Sequence, residues 1–164
     1  MIGRMALRAA DAPCEQRAPK VLLADDHAPI RLSVAEDLQS AGFDVCAQVG
    51  SAREAVQAAL EQRPELCVLD VSMPGGGLAA AAEIRALLPE TRVVMLTVSE
   101  QEEDFLEAIR SGVSGYLLKD MDPIRMPHAL CDVLAGVPAF PRRLVPSLVS
   151  AAREALGPAT VASS

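Results

Sequence analysis

Four short apolar runs recur along this chain, and each meets a polar or charged residue at its C-terminal end. Val21-Leu22-Leu23-Ala24 runs into Asp25-Asp26, Leu66-Cys67-Val68-Leu69 into Asp70, Val93-Val94-Met95-Leu96 into Thr97, and Gly115-Tyr116-Leu117-Leu118 into Lys119. Continuous apolar runs of this length, unlike alternating ones, mark strands buried on both faces of a parallel sheet. In an open parallel sheet, ligands bind outside the carboxyl ends of the strands. Three carboxylates, one ammonium and one hydroxyl would therefore meet at one edge. That set suits a divalent cation beside a phosphoryl group.

Helical patterns separate the runs. The first strand, about 20–25, is followed by a helix over about 29–41, with Pro29 in its first turn, Ile30, Val34 and Leu38 on one face, and Gly42 closing it. A second strand over about 44–49 leads to a helix opened by the capping box Ser51/Glu54 and ended before Pro64. The third strand covers about 66–70 and the third helix about 78–88. The fourth strand, about 92–97, precedes a helix over about 100–111, for which Ser99 and Glu102 read as a second capping box. The fifth strand, about 115–119, precedes a helix over about 123–135, with Asp122 as N-cap and Pro123 in the first turn. Pro127 conflicts with that start and predicts a distorted or delayed helix that recovers from His128. Five strand–helix repeats define an α/β fold: a doubly wound parallel sheet with helices on both faces. The expected organisation is a tail over 1–19, one domain over 20–135, and a linker over 136–164. That linker carries one short amphipathic helix, with Leu144, Leu148 and Leu156 on one stripe, and a frayed end.

Composition narrows the function classes. Half the chain is hydrophobic, 51 %, so it folds rather than remaining disordered. The net charge of −7 is unevenly spread: residues 1–20 and 136–164 are each net +2, which leaves −11 on residues 21–135. So acidic a core repels nucleic acid and suits a cation or a basic partner. Only three Phe and one Tyr are present, too few for base-stacking platforms. Cys14, Cys46, Cys67 and Cys131 show no C-x-x-C spacing and read as reduced core thiols, which places the chain in the cytoplasm. No secretory signal or membrane-length apolar run is present. Gly75-Gly76-Gly77 lacks the following Lys-Ser/Thr of a nucleotide P-loop. His27 reads as a capping or packing residue, and His128 as surface.

The order Asp25-Asp26, Asp70, Thr97, Lys119, with the local wording ADDH at 24–27, LDVSMP at 69–74 and GYLLKD at 115–120, resembles the receiver domain of bacterial two-component response regulators. DDH and GYLLKD are most similar to the NarL/FixJ class. The resemblance covers roughly residues 20–134 and implies a flavodoxin-like sheet of order 2-1-3-4-5. It implies that Asp70 takes a phosphoryl group from a sensor histidine kinase, as a carboxylate nucleophile forming an acyl phosphate. It implies Mg²⁺ held by Asp26, Asp70 and the backbone carbonyl of Ser72, with Asp25 holding metal-bound water or orienting Asp26. Lys119 would pair with Asp70 at rest and with a phosphoryl oxygen afterwards. The chain has two Lys against thirteen Arg, and a compact charge on a flexible stem suits this place better than a planar fork. Thr97 would donate its hydroxyl to the phosphoryl oxygen and, with Tyr116, act as the switch to the surface of the fourth helix, fifth strand and fifth helix.

Two departures from the family pattern stand out. Lys119 is followed by Asp120 where many receivers have proline, so an ordinary trans bond is expected. About thirty residues follow Gly136, with one plausible helix, so the helix-turn-helix output domain usual in this class has no room here. The expectation is therefore a phosphoacceptor signalling module and not an enzyme. Its partners would be a sensor kinase and, on phosphorylation, a second copy, without direct DNA binding or membrane attachment. The alternative is a Mg²⁺-dependent aspartyl phosphohydrolase. Such enzymes need a second catalytic Asp two residues after the nucleophile, where this chain has Ser72.

Overall fold

The computed structural model describes residues 18–162. Five parallel strands, β1 (Lys20–Ala24), β2 (Asp44–Val49), β3 (Leu66–Leu69), β4 (Arg92–Thr97) and β5 (Gly115–Leu118), form one sheet of order β2-β1-β3-β4-β5. Helices α1 (Ala28–Ser40), α2 (Ala52–Gln62), α3 (Gly77–Leu87), α4 (Glu102–Arg110) and α5 (Arg125–Leu134) connect or follow them. The doubly wound flavodoxin-like topology expected from the strand–helix alternation is the one observed.

Alternation along each strand builds two cores from one sheet. Leu22, Cys67, Leu69, Met95 and Tyr116 face α2, α3 and α4, where Ala55, Ala81, Ile84 and Phe105 meet them. Val21, Leu23, Val68, Val94 and Leu96 face α1 and α5, where Leu38, Met126 and Leu130 meet them. Strands β3 and β5 are buried at every position, as their unbroken apolar runs require, whereas edge strand β2 is only half-buried.

Local signals set most element starts. Ser51 caps α2 by accepting the Glu54 N–H, and its hydroxyl donates to the Glu54 carboxylate. Two starts differ from the expectation. Helix α4 begins at Glu102 without a Ser99–Glu102 box, because the Ser99 hydroxyl is drawn to the Asp104 carboxylate, 2.5 Å away. Helix α5 begins at Arg125, after a turn in which the Asp122 carboxylate accepts the Ile124 N–H. Pro127 is then the third helical residue, where its missing N–H is one no intrahelical carbonyl needs. The helix runs through it.

The C-terminal segment is not a free linker. Ala139 pairs in parallel with Gly115 at the outer edge of β5, accepting the Tyr116 N–H at 2.8 Å. A 3₁₀ turn (Arg142–Leu144) then buries Leu144, and Phe140 and Leu148 pack on the same cluster as Phe105 and Tyr116. Helix α6 (Val145–Ala162) follows, broken at Gly157, so helical backbone continues past the expected end at about 156. The expected N-terminal tail lies, up to residue 17, outside the described residues.

Cys46 and Cys67 are free thiols. Cys131 departs from the expected reduced state: it is disulfide-bonded. Burial pushes the Cys67 thiol up to about 12 from its ordinary 9.0. The unfolded chain loses this proton near pH 9 and the folded chain keeps it, so the thiol's contribution to stability falls as pH rises above 9. In native protein at pH 9, Cys67 is expected to resist iodoacetamide and to react fully in denaturant. Peptide mass mapping after native labelling checks this, and rapid native modification of Cys67 contradicts it.

Candidate functional site

Backbone hydrogen bonds join neighbouring strand ends, β1 to β2, β3 to β1 and β5 to β4, just where the polar residues begin. Asp25 N–H donates to Val49, Asp70 N–H to Ala24, and Lys119 N–H to Thr97, at 3.0, 3.0 and 2.9 Å. Sequence-distant residues thereby share one ledge. Oxygens of Asp25, Asp26 and Asp70 lie within 4.8 Å of one another; Asp25 and Asp70 are buried, and Asp26 is exposed. Three carboxylates so close repel each other unless a cation joins them.

Lys119 supplies part of that charge. Its Nζ is 2.6 Å from Asp25 Oδ2 and 3.4 Å from Asp70 Oδ2. The expected pairing with Asp70 is present, but the shorter partner is Asp25, reached across the width of β4 and β3. A four-carbon stem ending in a point charge can cross that span and bridge two carboxylates. Asp25 Oδ1 accepts the His27 N–H at 2.9 Å, so His27 acts through its backbone at the N-cap position of α1. Asp70 Oδ1 is buried without a hydrogen-bond partner. A buried carboxylate oxygen left in this state is costly unless a ligand completes it. Ser72 is exposed in the turn that follows β3.

The loop after Asp70 is shaped by a close approach. A Cβ on Gly77 would lie 1.8 Å from the Asp70 carbonyl oxygen, and the Gly77 N–H donates to Val71 at 3.0 Å. Glycine alone lets the first residue of α3 sit against the Asp70 backbone. Gly77→Ala is expected to cost about 2 kcal/mol by overpacking and to slow any chemistry at Asp70. Urea unfolding checks the first effect, and an unchanged midpoint would contradict it.

Thr97 is fully buried, and its Oγ1 accepts the Ser99 N–H at 3.2 Å. Tyr116, also fully buried, donates from its hydroxyl to the Ser99 carbonyl at 3.0 Å. Its ring lies edge-to-face on Phe105, which is itself edge-to-face on Phe140. Burial raises the Tyr116 phenol above its ordinary value; Asp104 and Asp70 act in the same sense, and the Ser99 hydrogen bond opposes them. Arg143 forms an ion pair with Glu100 and lies 3.8 Å from Asp120, tying the C-terminal segment to the loops after β4 and β5. The Lys119–Asp120 bond is trans, as are all peptide bonds among the described residues.

The residues singled out from sequence thus converge, Asp25, Asp26, Asp70 and Lys119 around one point and Thr97 on the neighbouring strand end. Sequence reading missed Arg31, whose guanidinium reaches the Asp25 carbonyl, and the Phe140–Arg143 contacts. A cue to Arg31 was its place in the first turn after ADDH. The Phe140 and Arg143 contacts carry no local signal.

A doubly wound parallel sheet carries an acidic cluster and a bridging lysine at the carboxyl ends of its strands, the arrangement of a flavodoxin-like receiver fold. Residues 21–131 match the family described as "Response regulator receiver domain". The chain belongs to that family. It is 35 % identical over 134 residues to oxygen regulatory protein NreC of Staphylococcus epidermidis, covering 80 % of this chain and 62 % of that one. It is 33 % identical over 140 residues to the nitrate/nitrite response regulator protein NarL of Escherichia coli, covering 84 % and 65 %. Among solved structures, the two-component response regulator of the LuxR family from Aurantimonas sp. SI85-9A1 superposes with a TM-score of 0.76 at 28 % identity, covering 81 % of this chain and 96 % of that one. The chain therefore spans under two thirds of the length of these curated relatives. Its receiver is of the NarL type, a signalling domain of two-component systems.

Proposed function

We propose that Asp70 accepts a phosphoryl group from a phosphohistidine of a sensor histidine kinase and that this receiver passes the signal on as a change of surface. One observation carries the reading. Asp70 is a buried carboxylate with one oxygen unpartnered, set between Lys119 and the Asp25–Asp26 pair. An Asp70 oxygen forms the new bond to phosphorus while the bond from phosphorus to the imidazole nitrogen breaks. The nitrogen keeps the electron pair, and Asp70 becomes an acyl phosphate. Lys119 shifts its charge toward the incoming phosphoryl oxygens while staying anchored by Asp25. The Thr97 hydroxyl donates to a phosphoryl oxygen from the adjacent strand end.

The donor set fits Mg²⁺: it is all oxygen, rich in carboxylate, and includes the unpartnered Asp70 Oδ1. Asp26, Asp70 and the main-chain carbonyl of Ser72 would hold the ion, whose charge offsets that of the phosphoryl group in this acidic site. In this reading Asp25 anchors Lys119 and orients the turn to Asp26.

Thr97 and Tyr116 form the switch, and the C-terminal segment on β5 receives it. The chain's own output is protein–protein association, including pairing with a second copy on phosphorylation, in the cytoplasm where ATP-dependent kinases act. Its acidic middle, net −11 over residues 21–135, disfavours DNA phosphate, and among the described residues no helix is long and apolar enough to cross a membrane. Incubation with Mg²⁺ and acetyl phosphate, followed by intact mass measurement, tests the reading. One phosphoryl group per chain, lost on chelation of Mg²⁺ before the reaction, is the expected outcome. No uptake from either a small donor or a kinase overturns it.

A further inference from the structure

The Asp25–Asp26 peptide is held by a half-buried cation. Arg31, in the first turn of α1, donates from Nη1 to the main-chain carbonyl of Asp25 at 2.6 Å. Its Nε is buried without a hydrogen-bond partner, so part of this guanidinium is desolvated to make the reach. One peptide unit earlier, the Asp25 N–H donates to the Val49 carbonyl at the end of β2. The next residue, Gly50, packs against this contact. A Cβ there would lie 3.4 Å from Arg31 Nη1, 3.8 Å from Asp26 Cα and 3.9 Å from the Asp25 oxygen.

The geometry has a specific consequence. Beyond Ala24 the chain has left the β1–β3 ladder, so no strand neighbour fixes the Asp25 carbonyl. That carbonyl and Asp26 Cα belong to the same planar peptide unit. Fixing the carbonyl therefore fixes where the exposed Asp26 side chain begins. Because Arg31 bonds a neutral carbonyl, the Asp26 carboxylate stays available to a cation. Its positive charge still lowers the cost of gathering three carboxylates at one edge.

We infer that Arg31 is the positioning residue of the acidic pair: it sets the Mg²⁺ affinity of the site by orienting the Asp25–Asp26 peptide. This rests on the Mg²⁺ reading given above. Groups that orient metal ligands typically change affinity by about ten- to a hundred-fold when removed. An arginine that served only to hold α1 on the sheet would lower the melting temperature and leave cation affinity alone.

The full chain is titrated with MgCl₂ by calorimetry as wild type, Arg31→Met, Arg31→Lys and Asp26→Ala, with melting curves recorded in the absence of Mg²⁺. Arg31→Met is expected to weaken Mg²⁺ binding about ten-fold or more. Its phosphoryl uptake should be slow at limiting Mg²⁺ and recover at high Mg²⁺. Arg31→Lys keeps the charge without the fork and should lose a smaller part, about three-fold. Folded Arg31→Met that binds Mg²⁺ like wild type, while Asp26→Ala does not bind, overturns the inference and leaves the Mg²⁺ reading standing. If Arg31→Met does not fold, Arg31→Lys decides, and wild-type affinity in that variant overturns the inference. A wild-type chain that binds no Mg²⁺ overturns both.

Discussion

Asp70→Asn is expected to take up no phosphoryl group under conditions in which the wild-type chain is fully labelled. The amide keeps the shape of the carboxylate and loses the nucleophilic charge, so the new bond to phosphorus cannot form. A loss of several orders of magnitude in uptake is the scale expected when a covalent nucleophile is removed. The same change is expected to leave the fold intact or to raise its melting temperature. Asp70 Oδ1 is buried without a partner, Asp70 lies beside two further carboxylates, and removing its charge relieves both costs. Lys119 keeps its nearer partner, Asp25, at 2.6 Å. Asp26→Ala is expected to reduce Mg²⁺ affinity and uptake together. Undiminished labelling in Asp70→Asn would assign the phosphoryl group to another residue.

The second large effect is expected far from Asp70. Binding of beryllofluoride, a phosphoryl mimic, should change amide hydrogen exchange across residues 137–148 by about ten-fold or more, the response of a locally opening unit. Three links lead there from Thr97. Its Oγ1 holds the Ser99 N–H, and rotation toward a phosphoryl oxygen breaks that bond. The Ser99 carbonyl holds the Tyr116 hydroxyl, and the Tyr116 N–H is bonded to Ala139. Tyr116, Phe105 and Phe140 form one edge-to-face stack, with centroids 5.4 and 5.6 Å apart. Arg143 grips Glu100, the residue after Ser99. A phosphoryl group brings nearly two negative charges and strong acceptor oxygens, enough to compete for the Thr97 hydroxyl. Thr97→Ala should still accept phosphate and transmit little of the change. Phe140→Ala should loosen the segment even at rest, by about 2 kcal/mol for a half-buried aromatic. Equal exchange responses in wild type and Thr97→Ala would break the proposed connection. Tyr116 is already fully inside, so the switch needs no inward swing of its ring. The loop that carries Ser99 and Glu100 is the element with two arrangements to choose between.

Much of this protein was legible because its signals are local. Val21–Ala24 and Leu66–Leu69 are apolar without interruption since both faces of those strands are covered, and that pattern needs only neighbouring residues to be read. Where each run stops, a charged or hydroxyl residue follows, so the sequence alone puts Asp25, Asp26, Asp70, Thr97 and Lys119 at one edge. Ser51 capped α2 as its spacing to Glu54 implied. The remainder depended on distances that no local pattern encodes. Lys119 prefers Asp25 because the strand order puts both carboxylates within reach of one flexible stem. Ser99 abandons a cap for Asp104, and its carbonyl takes the Tyr116 hydroxyl, because α4 packs where Phe105 can meet that ring. Arg31 finds a carbonyl six residues back because the turn after β1 brings the Asp25 carbonyl to the first turn of α1. The segment after Gly136 read as a linker because its few apolar residues cannot stabilise a helix alone. Period and local propensity set the elements, their alternation and the polar residues at the strand ends. Tertiary structure alone decided which long side chains pair and where the C-terminal segment is buried, since those choices are made by groups far apart in the chain competing for the same space.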